Sequence, residues 1–132
     1  MRNYCIDSPQ ACARVLALVL IADGGVSDAE LASFAAEADA HAMGIDERLM
    51  EEVLRELCED LQMVSRRRWG RDLEPTQLNP LLEEVRDSRR RGQLLSLAYR
   101  IAQADGRLSD GEGRLLAHMI RRWRPEDWAI AA

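Results

Sequence analysis

One nine-residue phrase occurs twice in this chain, as Ala22-Asp23-Gly24-Gly25-Val26-Ser27-Asp28-Ala29-Glu30 and as Ala104-Asp105-Gly106-Arg107-Leu108-Ser109-Asp110-Gly111-Glu112. Both copies read A-D-G-x-[V/L]-S-D-x-E. Each follows an apolar run and precedes a helical pattern, so the duplicated object is a helix, an acidic turn and a second helix. The copies align at a fixed offset of 82 residues, pairing Val19 with Ile101, Ala22 with Ala104 and Phe34 with Leu116. Two such hairpins can pack about a pseudo-twofold axis, and this arrangement predicts that both acidic turns share one end of the molecule.

Local signals fill in the rest of an all-helical layout. Ser8-Pro9 is a cap residue followed by proline at the first helical position, where the missing N–H costs nothing. The helix it opens runs to about Asp23 and is apolar nearly all round from Ala13 to Ala22, which suits a central helix with neighbours on several sides. Gly24 or Gly25 supplies its left-handed cap. Ser27 and Glu30 form a capping box for a second helix that ends near Met43-Gly44, and Ser109 and Glu112 repeat the box before the stripe Leu115, Leu116, Met119, Ile120 and Trp123. Asp46 caps a third helix, with Leu49, Val53, Leu54, Leu57 and Leu61 on its apolar side and Glu51, Glu52, Glu56 and Glu59 toward water. Residues 65–79 read mostly as a connection, Asn79-Pro80 as the start of a short helix, and Ser88 as the start of the next. Trp128 and Ile130 are expected to fold back onto the body.

At 132 residues and 47% hydrophobic content the chain suffices for one domain spanning 1–132 with its own core. Long β-branched or aromatic runs are missing, and only 5% of residues are aromatic, which disfavours a sheet. Cys5, Cys12 and Cys58 show no C-x-x-C spacing and an odd count, so they read as reduced, mostly buried thiols. The longest apolar stretch, Val15 to Ala22, is far short of the ~20 residues of a membrane span, and no secretory leader opens the sequence. A soluble, cytoplasmic protein is expected. Residues 1–64 carry 13 acids against 4 arginines and residues 65–132 carry 10 against 14, a polarity that favours head-to-tail self-association or a charged protein partner.

The duplicated phrase also coincides with the back half of a calcium-binding EF-hand loop, which needs oxygens at positions 5 and 9, glycine at 6 and a bidentate Glu at 12. Asp23, Gly24, Ser27 and Glu30 fill those slots, as do Asp105, Gly106, Ser109 and Glu112. Positions 1 and 3 fall on Val19 and Ile21, and on Ile101 and Gln103, which bring no carboxylate. One turn alone therefore offers too few oxygens for more than a weak, watery site. Capping and turn chemistry explain each residue singly. If Asp23, Glu30, Asp105 and Glu112 converge, their pooled charge calls for a divalent cation or an arginine.

At these residues the chain resembles the TerB-like superfamily, the helical domain of tellurite-resistance TerB proteins and of DjlA-type co-chaperones, whose members carry A-D-G-x-[VILF]-[ST]-x-x-E twice. The resemblance covers about residues 8–124 and is sharpest at 19–35 and 98–120. It implies a single all-α bundle of about six to seven helices built on two pseudo-repeated helix-turn-helix hairpins. It also implies that Asp23, Glu30, Asp105 and Glu112 occupy the family's acidic metal positions; with the oxygen count above, the expected ligand is a weakly bound divalent cation, calcium or magnesium. No catalytic or cofactor-binding residue is expected, because nucleophile elbows, P-loops and dinucleotide fingerprints are missing and neither His41 nor His118 belongs to a metal or catalytic motif at helical spacing, apart from a loose approach of His41 to Glu37 and Asp39. The expected function is a non-enzymatic interaction or ion-sensing module in tellurite resistance or stress response, with a protein partner or a second copy. Two alternatives stay open: an acidic-site enzyme, and an anion- or nucleic-acid-binding adaptor built on Arg66-Arg67-Arg68-Trp69-Gly70-Arg71. Nucleic acid is disfavoured by the overall acidity.

Overall fold

The computed structural model describes residues 2–22, 38–64, 75–104 and 110–123. Within them the backbone forms six helices and no strand: α1 (Pro9–Ala22), α2 (Ala38–Ala42), α3 (Glu47–Val64), α4 (Pro75–Leu82), α5 (Ser88–Ala104) and α6 (Asp110–Trp123). The all-α expectation holds.

α1 is the hub. Every residue from Ala11 to Ile21 is buried, and the helix packs against α3, α4, α5 and α6. A helix without a polar face can satisfy its surface only by being surrounded, since each buried Val, Leu or Ile side chain gains roughly 1.5–3 kcal/mol over exposure. Its start is built as the sequence indicates: the Ala11 amide donates to Ser8 Oγ at 3.1 Å and the Cys12 amide to the Ser8 carbonyl at 3.1 Å. The remaining helices close around it, α5 against α6 and α2, and α4 against α6.

α2 ends in a turn at Met43-Gly44, where the Ile45 amide reaches back to the Ala40 carbonyl at 2.9 Å. Gly44 has φ 79°, and a Cβ there would stand 3.3 Å from Pro9 Cγ, so glycine serves both the left-handed backbone and the close approach of α1. Asp46 caps α3 through Oδ1, which accepts from the Leu49 amide at 2.8 Å. Val53, Leu57 and Leu61 are buried and Leu49 and Leu54 half-buried, while Glu51, Glu52 and Glu59 are exposed. Glu56 departs from the expected water-facing row: it is half-buried and accepts from Tyr4.

One boundary differs from the sequence reading. The fourth helix begins at Pro75, not at Asn79-Pro80, and Pro80 lies inside it. Asn79 is therefore a mid-helix residue, and its side chain meets His118 of α6. α5 begins at Ser88 as the sequence indicates, and the residue before it, Asp87, caps it through Oδ2, which accepts from the Arg90 amide at 3.1 Å. Of the cysteines only Cys12 is buried; Cys58 is intermediate and Cys5 exposed. The capping box at Ser27 and Glu30, the caps at Gly24 or Gly25, Ser109, and the tail with Trp128 and Ile130 lie outside the described residues.

Candidate functional site

Of the four acidic positions singled out in the sequence, Asp23, Glu30 and Asp105 lie outside the described residues, and Glu112 falls in the first turn of α6. The helices that lead into the acidic turns are described. Val19 to Ala22 complete α1 and Ile101 to Ala104 complete α5, with Val19 and Ile21 buried in the core. The segments that an EF-hand would use as its first ligand positions are thus helical in both copies, and in the first copy they are core. No group of three or more His, Cys, Asp or Glu suited to a metal is assembled among the described residues.

The polar constellation that the described residues do assemble centres on Arg14. Its side chain is 1% exposed, in the middle of the apolar run of α1. A buried guanidinium is tolerable only when paired and hydrogen-bonded, and three groups supply this. Glu84, itself buried in the turn between α4 and α5, accepts a hydrogen bond from Arg14 Nη2 through Oε1. The Arg2 carbonyl accepts from Nη1 at 2.6 Å. The Tyr4 ring covers the guanidinium at 4.4 Å, a cation–π contact. Nε of Arg14 has no acceptor among the described residues.

Around this pair runs an N-terminal strap, residues 2–7, laid across α3 and the α4–α5 turn. Arg2 forms a fork with Asp60, Nε and Nη2 donating at 3.0 and 3.1 Å, and Nη1 lies 3.2 Å from Glu56. The Tyr4 amide donates to Glu84 Oε2 at 3.0 Å, and the Tyr4 hydroxyl donates to Glu56 Oε1 at 2.5 Å. At the strap's far end the Asp7 amide donates to the Glu84 carbonyl at 2.7 Å, and Asp7 Oδ1 accepts from the Arg86 and Asp87 amides at 2.7 and 3.0 Å. Asp7 has φ 59°, a left-handed backbone that Asp tolerates better than most residues.

The electrostatics follow from these contacts. Burial raises the Tyr4 hydroxyl and the Glu56 hydrogen bond raises it further, so Tyr4 stays a donor. Burial alone pushes the Asp60 carboxyl up, but the hydrogen bonds from the Arg2 side chain and backbone outweigh it and hold Asp60 below the ordinary carboxylate value. Asp7 behaves alike: burial raises it, and the Asp87 and Arg86 amides bring it below. Every one of these carboxylates is engaged by a donor. Such a cluster holds chain segments together and offers no poised base. An open cavity of about 590 Å³ adjoins the strap's end, lined by Asp7, Ala42, Asp87, Arg89, Arg90 and Gln93, a mixed-charge set with no preference for one sign.

Sequence reading did not find this cluster. Glu84 is 70 residues from Arg14, and the available signal was a lone charge within an otherwise apolar run.

Comparison with known proteins adds the decisive observation: the family model described as Tellurite resistance protein TerB matches residues 9–122. The chain belongs to the TerB family. The matched span includes both copies of the acidic phrase and all six described helices but for Trp123, the last residue of α6. No curated protein and no solved structure matches the chain. The TerB assignment makes this a domain related to tellurite resistance, and no described helix is long and apolar enough to cross a membrane.

Proposed function

We propose that this TerB-family chain works throughout residues 1–132 as one non-enzymatic, cytoplasmic module that binds a protein partner and responds to a divalent cation, in tellurite resistance or a related stress response. The single observation that carries the reading is the family match over residues 9–122, which spans two copies of A-D-G-x-[V/L]-S-D-x-E. Two supports add to it. The phrase puts Asp23, Glu30, Asp105 and Glu112 at equivalent places in two hairpins, and four carboxylates brought together need a counter-charge. The strap carboxylates described above are already matched by Arg2, Arg14 and backbone amides, so the cation response belongs to the repeated turns.

Calcium or magnesium fits the all-oxygen donor set, and the lack of carboxylates at the front of each turn sets a weak affinity, with Kd on the order of 10⁻⁴–10⁻³ M. Calorimetric titration with calcium, magnesium, manganese and zinc tests this. The expected result is saturable heat with the native chain and its loss in Asp23→Ala/Asp105→Ala. Flat traces for both would leave the acidic phrase with a capping role only and would remove ion sensing from the function.

A further inference from the structure

The N-terminal strap differs from the rest of the molecule in what holds it. The bundle is held by an apolar core centred on α1. The strap contributes to that core only the half-buried Tyr4. Its other fastenings are polar, and nearly all of them end on four carboxylates: Asp60 and Glu56 on α3, Glu84 in the α4–α5 turn, and its own Asp7. The exceptions are backbone acceptors: the Glu84 carbonyl for the Asp7 amide, the Cys5 carbonyl for the Ser8 amide and the Arg2 carbonyl for the Arg14 side chain. Segments with few apolar contacts open at lower free energy than the core they lie on.

We propose that residues 2–7 form a detachable polar strap, released as a unit when Asp7 and Asp60 lose their charge, and that its release uncovers the Arg14 guanidinium while the helical bundle, with the Arg14–Glu84 pair, stays folded. The charged and titratable groups that set this behaviour come from every element in contact with the strap. Arg2, Tyr4 and Asp7 belong to the strap, and Arg14 and Cys12 to α1. Glu56 and Asp60 stand on α3, Glu84, Arg86 and Asp87 in the turn, and Arg90 and Arg91 on α5. Asp60 and Asp7 are held below the ordinary carboxylate value, so their fastening is complete above about pH 4 and is lost as the pH falls through their lowered values. Protonation then leaves Arg2 facing a neutral acceptor at Asp60, and the ion pair that fastens the strap to α3 there is lost.

In the open form the Arg14 guanidinium stands beside the seat vacated by the Tyr4 ring, still paired with Glu84. In the closed form Arg14 is 1% exposed and no partner reaches it.

Amide hydrogen exchange on the full chain reads the strap and the bundle separately. In the native protein at pH 7 the Tyr4 and Asp7 amides are protected. Glu56→Gln/Asp60→Asn removes the strap's charge on α3 without touching the Arg14–Glu84 pair, and it should speed exchange at Tyr4 and Asp7 by about tenfold or more, with α1 and α3 amides unchanged. As a second measurement, the native chain taken stepwise below pH 3.8 should lose strap protection before helical circular dichroism falls. Unchanged strap protection in the double variant, or loss of strap and helix signals together in both experiments, would overturn the proposal.

Discussion

Arg14 and Glu84 show how one buried charge constrains its surroundings. Removing either partner alone leaves the other uncompensated, whereas removing both charges relieves the desolvation cost. Glu84→Gln keeps an oxygen for the Tyr4 amide but strands the guanidinium, and it should destabilise the fold by about 3 kcal/mol. Arg14→Met combined with Glu84→Gln should recover most of that loss, because a flexible apolar side chain fills the same run of α1. Urea denaturation of the two variants and the native chain checks this; equal destabilisation by the single and the double variant would mean that the pair is not the source of the cost. The pair also marks where residue-level reading ran out. An apolar run with one arginine says that a partner exists, but not which of the 23 acids it is. Glu56 was misplaced for a related reason: helical periodicity separates apolar from polar faces and carries no information about a strap crossing the polar one.

Single helices were legible where capping and periodicity agree. Ser8, Asp46 and Gly44 act at the helix ends that the sequence assigns them, and the stripes of α3 and α6 are buried in the expected register. The boundary of α4 was not legible, because two prolines, Pro75 and Pro80, each satisfy the first-position rule, and only packing selects the earlier one. Starting at Pro75 brings Asn79 onto the face toward α6, where His118 Nε2 donates to Asn79 Oδ1 at 2.8 Å. Burial lowers the His118 value, and the nearby Arg121 and Arg122 lower it further, so the fold favours the neutral ring. A depressed folded-state value means that this contribution is present above pH 6.5 and is lost as the pH falls below it. Urea midpoints measured from pH 7.5 to 5 should therefore fall more steeply for the native chain than for His118→Gln, which keeps a donor and has no charge to gain. Parallel curves would show that the α4–α6 contact does not sense protonation of His118.

At the scale of the molecule, the hub position of α1 was readable from its apolar circumference, and the all-helical class from composition and the duplicated hairpin. The juxtaposition of the two acidic turns was an expectation from pseudo-symmetry, and those turns lie outside the described residues. The central role of α1 has its own test, because Cys12 sits on it, 1% exposed, with burial pushing its thiol up to about 11. With the strap closed, as its charged carboxylates hold it at pH 8, exposing Cys12 requires α1 to leave the helices packed on it, which amounts to unfolding the bundle. In a Cys5→Ser/Cys58→Ser variant at pH 8, a disulfide reagent should then label Cys12 only through global opening. The logarithm of the labelling rate should rise with urea along the slope of equilibrium unfolding, roughly 1–3 kcal/mol per molar for a domain of this size. A rate indifferent to urea would mean that the start of α1 opens locally. In that case the central helix would not be held equally along its length, and the neighbours of its first turn would have to be weaker than their burial suggests.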